Sequence, residues 1–210
     1  MALSQAAEPG APASTEAKPK WRRGAVACRS DSIRPSLLAG VTTAMPLDAI
    51  ELRRGRRPED PGELLDARGD VCAALDARQC DAARRRAAPP EGFLYQCDPR
   101  SCFHYLLLRR GDHIEAAPRL DDLVRILAPI DTEHDALLLA WASGSHVACD
   151  GGELDGEIER TSRGFRYTTE AMTSLCPPTT SRIVIDITRD GVVSEVSRRT
   201  VRQESGCIRI

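Results

Sequence analysis

Eight cysteines outnumber the four histidines of this 210-residue chain, so thiol chemistry is the first to weigh. The cysteines are Cys28, Cys72, Cys80, Cys97, Cys102, Cys149, Cys176 and Cys207, spread over most of the length. A structural zinc site draws its ligands from close pairs of the C-x₂₋₄-C type. Only Cys97 and Cys102 approach that spacing, and no second short pair completes a tetrad. Thiol–disulfide catalysis of the thioredoxin kind needs C-x-x-C, which does not occur. An even set of scattered cysteines matches instead a disulfide framework in an oxidising compartment. All eight are therefore disulfide candidates, Cys28 standing furthest from the rest, and neither a metal nor a cofactor is expected.

The histidines are His104, His113, His134 and His146, and no H-x-x-x-H pair exists to build a zinc-hydrolase helix. Asp131, Glu133 and Asp135 surround His134, which would suit acid–base work if the acids converged on a cleft. Thr132 followed three residues later by Asp135 is better explained as a capping box, with the acids in the first turn complementing the helix dipole. Ser143-Gly144-Ser145-His146 has the composition of a nucleophile string, but Gly-x-Ser-x-Gly is absent. Gly151-Gly152 and Gly156 lack the spacing and strand-to-helix setting of a phosphate loop. No catalytic residue is therefore assigned.

Arginine supplies 27 of the 29 basic residues, and the two lysines, Lys18 and Lys20, lie in the first twenty positions. The densest run, Arg53-Arg54-Gly55-Arg56-Arg57, could contact phosphate, but Glu59, Asp60 and Glu63 follow at once, so a solvated polar turn is expected. Arg-Gly-Asp occurs at 68–70 and 110–112, where helix and turn formation account for it. The net charge of −2 offers no field to gather nucleic acid or an anionic membrane, so nucleic-acid partners are not expected. No apolar run approaches the roughly 20 residues that a membrane-spanning helix requires.

These residues must be carried by local structure. Residues 1–30 read as a disordered tail and linker: positions 1–20 offer mainly Ala, Pro, Ser and Glu rather than the apolar core of a signal peptide. Ala25-Val26-Ala27-Cys28 resembles a lipobox, but Trp21-Arg22-Arg23-Gly24 precedes it, so lipidation is not expected. Residues 31–61 form an irregular lead-in with a helical turn near Leu47–Leu52, and a single domain spans 62–210. Within it 62–88 reads as helix, with Val71, Ala74, Leu75, Arg78 and Ala82 at helical spacing. On a continuous helix Cys72 and Cys80 would lie roughly 12 Å apart, too far for a bond, so each should reach elsewhere. Residues 91–117 read as hairpin, with Cys97 and Cys102 flanking the turn Asp98-Pro99-Arg100-Ser101. Residues 119–143 hold two helices, the second apolar nearly all round with Gly144 as its C′ residue. Residues 145–210 are antiparallel strands, with Asp190-Gly191 the clearest hairpin turn. The order specifies an α+β fold: an antiparallel sheet of hairpins packed against two to four helices and stabilised by disulfides.

Cys72…Cys80, Phe93-x₃-Cys97-x₄-Cys102-x₂-Tyr105-Leu106, Arg110-Gly111-Asp112 and Ala128-Pro129-Ile130-Asp131-Thr132 before Ala136–Trp141 together resemble uncharacterised cysteine-rich proteins of GC-rich soil bacteria. The likeness runs from about residue 70 to the end. It implies an exported or lipid-anchored protein with disulfides and supplies no catalytic residue. The expected function is a non-enzymatic, extracytoplasmic (periplasmic or secreted) binding domain with a protein or small ligand as partner. Two alternatives stand beside it. One is a hydrolase assembled from distant residues, with His104, His113 and Asp112 as its candidates; the other is a cytosolic partner-binding protein with reduced thiols.

Overall fold

The computed structural model describes residues 36–57, 60–73, 75–94, 102–150 and 153–208. Its architecture is α+β, with two four-stranded antiparallel sheets and three helices. The first sheet contains β1 (Ala49–Gly55), β2 (Glu63–Arg68), β3 (Phe103–Arg110) and β4 (His113–Ala117) in the order β2-β1-β3-β4. After a two-residue ladder of β5 (Cys149–Asp150) and β6 (Glu153–Leu154), the second sheet is a meander. It comprises β7 (Glu157–Thr161), β8 (Gly164–Leu175), β9 (Pro178–Thr188) and β10 (Val193–Gln203), in the order β10-β9-β8-β7. The helices are α1 (Ala77–Ala87), α2 (Leu120–Leu127) and α3 (Glu133–Ala142).

One apolar core joins the two sheets. Ile50, Leu52, Leu106 and Leu108 reach it from the first sheet, and Phe165, Tyr167, Ile183, Ile185 and Ile187 from the second. Eight residues of α3, from Asp135 to Ala142, are buried in it. That helix has no polar face because it is enclosed on every side. Its start matches the capping expectation: Asp135 Nα–H donates to Thr132 Oγ1 at 3.1 Å, and Thr132 N–H donates back to Asp135 Oδ2 at 3.2 Å. The buried Asp135 carboxylate also accepts Thr42 N–H at 2.9 Å and Thr42 Oγ1 at 2.8 Å, which ties the lead-in to the helix. The opposite face of the first sheet carries a second cluster of Ala49, Val71, Phe103, Tyr105 and Leu107.

Three expectations about residues 31–88 need correction. The segment around Leu47–Leu52 is not a helical turn; β1 is an inner strand buried on both faces, and Leu37, Leu38 and Val41 before it are core residues too. The core therefore begins well before residue 62. Nor is 62–88 one helix. Residues 63–68 form an edge strand, and Gly69 turns the chain at φ +75°, where a Cβ would lie 2.6 Å from the Asp48 carbonyl. The helix starts only after Asp76, which caps it in a capping box with Gln79. Finally, Arg53 is not in a solvated turn. It is buried, pairs with Glu51, and donates to the carbonyls of Pro61 at 2.5 Å and Gly62 at 2.9 Å.

Because the helix begins so late, Cys72 sits in a turn and the expected separation from Cys80 disappears. Their Cα atoms are 5.4 Å apart and the two are bonded to each other. Cys176 and Cys207 form a second bridge, and Cys102 and Cys149 are also disulfide-bonded. No cysteine is free among the described residues. Cys28 and Cys97, and the turn at 98–101, lie outside them.

Candidate functional site

The second sheet is longer than the helix that covers it. Its core-facing side carries Phe165, Tyr167, Thr169 and Ala171 on β8, opposite Ile187, Ile185, Ile183 and Ser181 on β9. α3 ends at Ala142, and beyond it that face opens into a groove of about 690 Å³. The helix end itself builds one wall. Gly144 N–H donates to Trp141 O at 2.9 Å and Ser145 N–H to Ala140 O at 3.0 Å, the Schellman pattern with Gly144 at φ +93°. This stop turns the chain into Ser145, His146, Val147 and Ala148, which line the groove.

The deep end holds Trp141 and His104. Their rings meet edge to face at 4.9 Å, and Phe93 meets Trp141 in the same manner at 6.2 Å. His104 Nδ1 lies 2.7 Å from the Leu94 carbonyl, so in the neutral imidazole that nitrogen carries the proton and donates it. The floor is Ile183 and Ile185, and the mouth carries Thr173, Glu195 and Arg198. Arg198 donates to Glu195 through Nε at 3.0 Å and Nη2 at 2.6 Å. These hydrogen bonds hold the Glu195 carboxyl below the usual carboxylate range. His146 Nε2 faces Asp155 Oδ2 at 3.8 Å. Behind it the Asp155 carbonyl accepts Tyr167 OH at 3.2 Å and Thr169 Oγ1 at 2.9 Å. Burial pushes the Tyr167 phenol up to about 12, so this donor stays neutral throughout the physiological range.

The sequence candidates are distributed differently. His113 and Asp112 are exposed at the tip of the β3–β4 hairpin, where His113 faces Glu115 at 3.6 Å. His104 lies six residues back along β3 from Arg110, the partner of His113, a distance of about 20 Å at 3.3 Å per residue. The structure does not bring these three residues together. His134 packs its ring over Gly40 at the start of α3. All four residues of the Ser143–His146 string line the groove, with the Ser143 hydroxyl donating to Leu139 O at 2.8 Å. Both Arg-Gly-Asp copies end strands of the first sheet, and Arg68 of the first is engaged with the Val41 carbonyl.

Sequence reading missed Thr173, Glu195 and Arg198 altogether. Glu195 and Arg198 lie in a strand whose polarity suggests an exposed surface, and only the second sheet's extension past α3 gives them a cavity to line. No group of three or more His, Cys, Asp or Glu residues suited to a metal ion occurs among the described residues. Among them, too, no helix is long and apolar enough to cross a membrane. Comparison with protein-family models, with curated proteins and with solved structures finds no match to this chain.

Proposed function

We propose that this is a non-enzymatic extracytoplasmic binding domain, stabilised by disulfides, whose recognition surface is the groove beyond α3. The groove itself is the observation that carries this reading. Its volume falls within the roughly 300–1,000 Å³ of small-ligand sites, and polar side chains such as Ser145, His146, Thr173, Glu195 and Arg198 line it beside apolar ones. The walls are fixed by regular structure: a capped helix end on one side and hydrogen-bonded strands on the other. The pairing of every described cysteine supports an oxidising compartment.

Two measurements test the two halves of the proposal. Mass spectrometry of the unfolded chain before and after reductant should show a gain of two hydrogens per bridge; an unchanged mass would sink the extracytoplasmic reading in favour of reduced thiols. For binding, thermal unfolding should be followed across a panel of small organic fragments. Hits are expected with the parent chain and not with Thr173→Trp, which places an indole in the mouth. A silent panel, or hits indifferent to that substitution, would remove the groove as the recognition surface.

A further inference from the structure

Two strands bordering the groove break their register beside it. In β8 the break is at Thr173, between Met172 opposite Thr180 and Ser174 opposite Thr179. In β10 it is at Val196, between Glu195 opposite Ile185 and Ser197 opposite Val184. Along a regular strand side chains alternate faces, so residues three apart stand on opposite sides. The extra residue at Val196 cancels that alternation. Glu195 and Arg198 both stand opposite core-facing isoleucines, Ile185 and Ile183, and meet in an ion pair. Without the bulge Arg198 would fall on the outer face, where Arg199 now stands opposite Arg182, which pairs with Glu170. An exposed pair contributes little to stability, whereas a bulge beside a cavity commonly re-aims a side chain. The placement of Arg198 therefore points to a ligand.

Charge then narrows the class. Glu195 and Arg198, the only Asp, Glu, Lys or Arg residues lining the groove among the described residues, neutralise one another. An ion entering the mouth meets both signs at similar range, so the attractions and repulsions offset. What remains is directional hydrogen bonding: the guanidinium keeps N–H donors beyond the two given to Glu195, and the carboxylate keeps lone pairs. Beneath them Ile183 and Ile185 close the floor, both largely buried. These belong to β9, which is flanked by β8 and β10, so no added strand can pair with the floor and recognition there falls to side chains. Adjacent donors and acceptors in a groove with no net charge suit the neighbouring hydroxyls of a sugar ring. We infer that the groove binds uncharged saccharide units, with Glu195 and Arg198 reading neighbouring hydroxyls; this rests on the binding-domain reading above.

The test uses neutral trisaccharides (maltotriose, cellotriose and N-acetylated chitotriose) beside cationic glucosamine trimer and anionic trigalacturonate. Binding is read by saturation-transfer NMR and by Trp141 emission in a Trp21→Phe background. At least one neutral trisaccharide should bind saturably, with the charged pair at least tenfold weaker. Arg198→Ala and Glu195→Gln should each weaken it at least tenfold, and Arg199→Ala, on the other face of the same strand, should leave it unchanged. Three silent neutral sugars, a charged sugar that binds as well, or full binding by both groove variants would each overturn the assignment. Silent sugars with a responsive fragment panel reject only the saccharide; silence in both rejects the groove.

Discussion

Glu51 carries two arginines on one carboxylate. Arg53 donates to one oxygen and Arg84, from α1, to the other at 2.5 Å, with Glu51 and Arg53 both buried. Removing one partner of a buried pair is costlier than the pair's net worth, because it leaves charge without compensation. Glu51→Ala should therefore lower stability by about 3–5 kcal/mol in urea unfolding, and replacing Glu51 and Arg84 together by methionine should recover part of that. This cluster also shows why residue chemistry was only partly legible. The capping role of Asp135 was readable from Thr132 three positions earlier, since both partners are local. The burial of Arg53 was not, because its partners at 61 and 62 arrive from the following loop and Arg84 from another element.

On the outer face of the second sheet Arg166 donates to Asp186 at 2.7 and 2.9 Å and holds its carboxyl below the ordinary 3.8. The folded state thus binds that proton less readily than the unfolded chain. The resulting stabilisation is present above the ordinary value and is lost as pH falls through the lowered one. Both side chains are about a third exposed or more, so solvent screening keeps the contribution small. In urea unfolding at a series of pH values, Asp186→Asn should trail the parent near neutrality and converge with it as pH falls through the lowered carboxyl range.

At the scale of elements, the β9–β10 turn illustrates how a local signal and a tertiary contact coincide. Gly191 has φ +89°, and a Cβ there would come within 2.6 Å of Val124 Cγ1 on α2. Gly191→Ala should therefore cost more than about 1 kcal/mol, and Val124→Ala in the same chain should return the packing part but not the backbone part; thermal unfolding of the three variants separates the two. Asp190-Gly191 was readable as a hairpin because its chemistry is local. The β3–β4 hairpin and the two helices after it were readable for the same reason. β1 was not. Glu51, Arg53 and Arg54 within seven residues mask a strand that is buried on both faces, since the charges are satisfied by one another and by Glu63 and Arg84 from other elements. Residues 63–68 misled differently: Glu63-Leu64-Leu65 suits a helix, but pairing with β1 makes it an edge strand that leaves Leu64 exposed. The groove was illegible because it depends on one element outlasting another.

At the scale of the molecule, the two mapped bridges constrain the chain unequally. Cys72 and Cys80 close a short loop of eight positions, and Cys176 and Cys207 one of 31. Chain-entropy reasoning assigns them about 2.5 and 3.7 kcal/mol. Urea unfolding of paired-alanine variants should rank Cys176/Cys207 as the costlier loss, and the reverse order would mean native-state effects dominate. That the chain would be bridged could be read from eight scattered cysteines. The Cys72–Cys80 pairing could not, since it depends on the late start of α1.

The Cys176–Cys207 bond also changes how the protein carries a load. It joins the β8–β9 turn to the segment after β10, so β9, its turn and β10 form a covalent ring. Tension between the N-terminal part and residue 208 crosses from Cys176 to Cys207 through sulfur and never reaches the β9–β10 ladder. About 31 residues, roughly 100 Å of extended contour, are withheld from any single-molecule pull. Adding reductant under force should release that length in one further step, making this half of the second sheet a mechanical reserve rather than a tether.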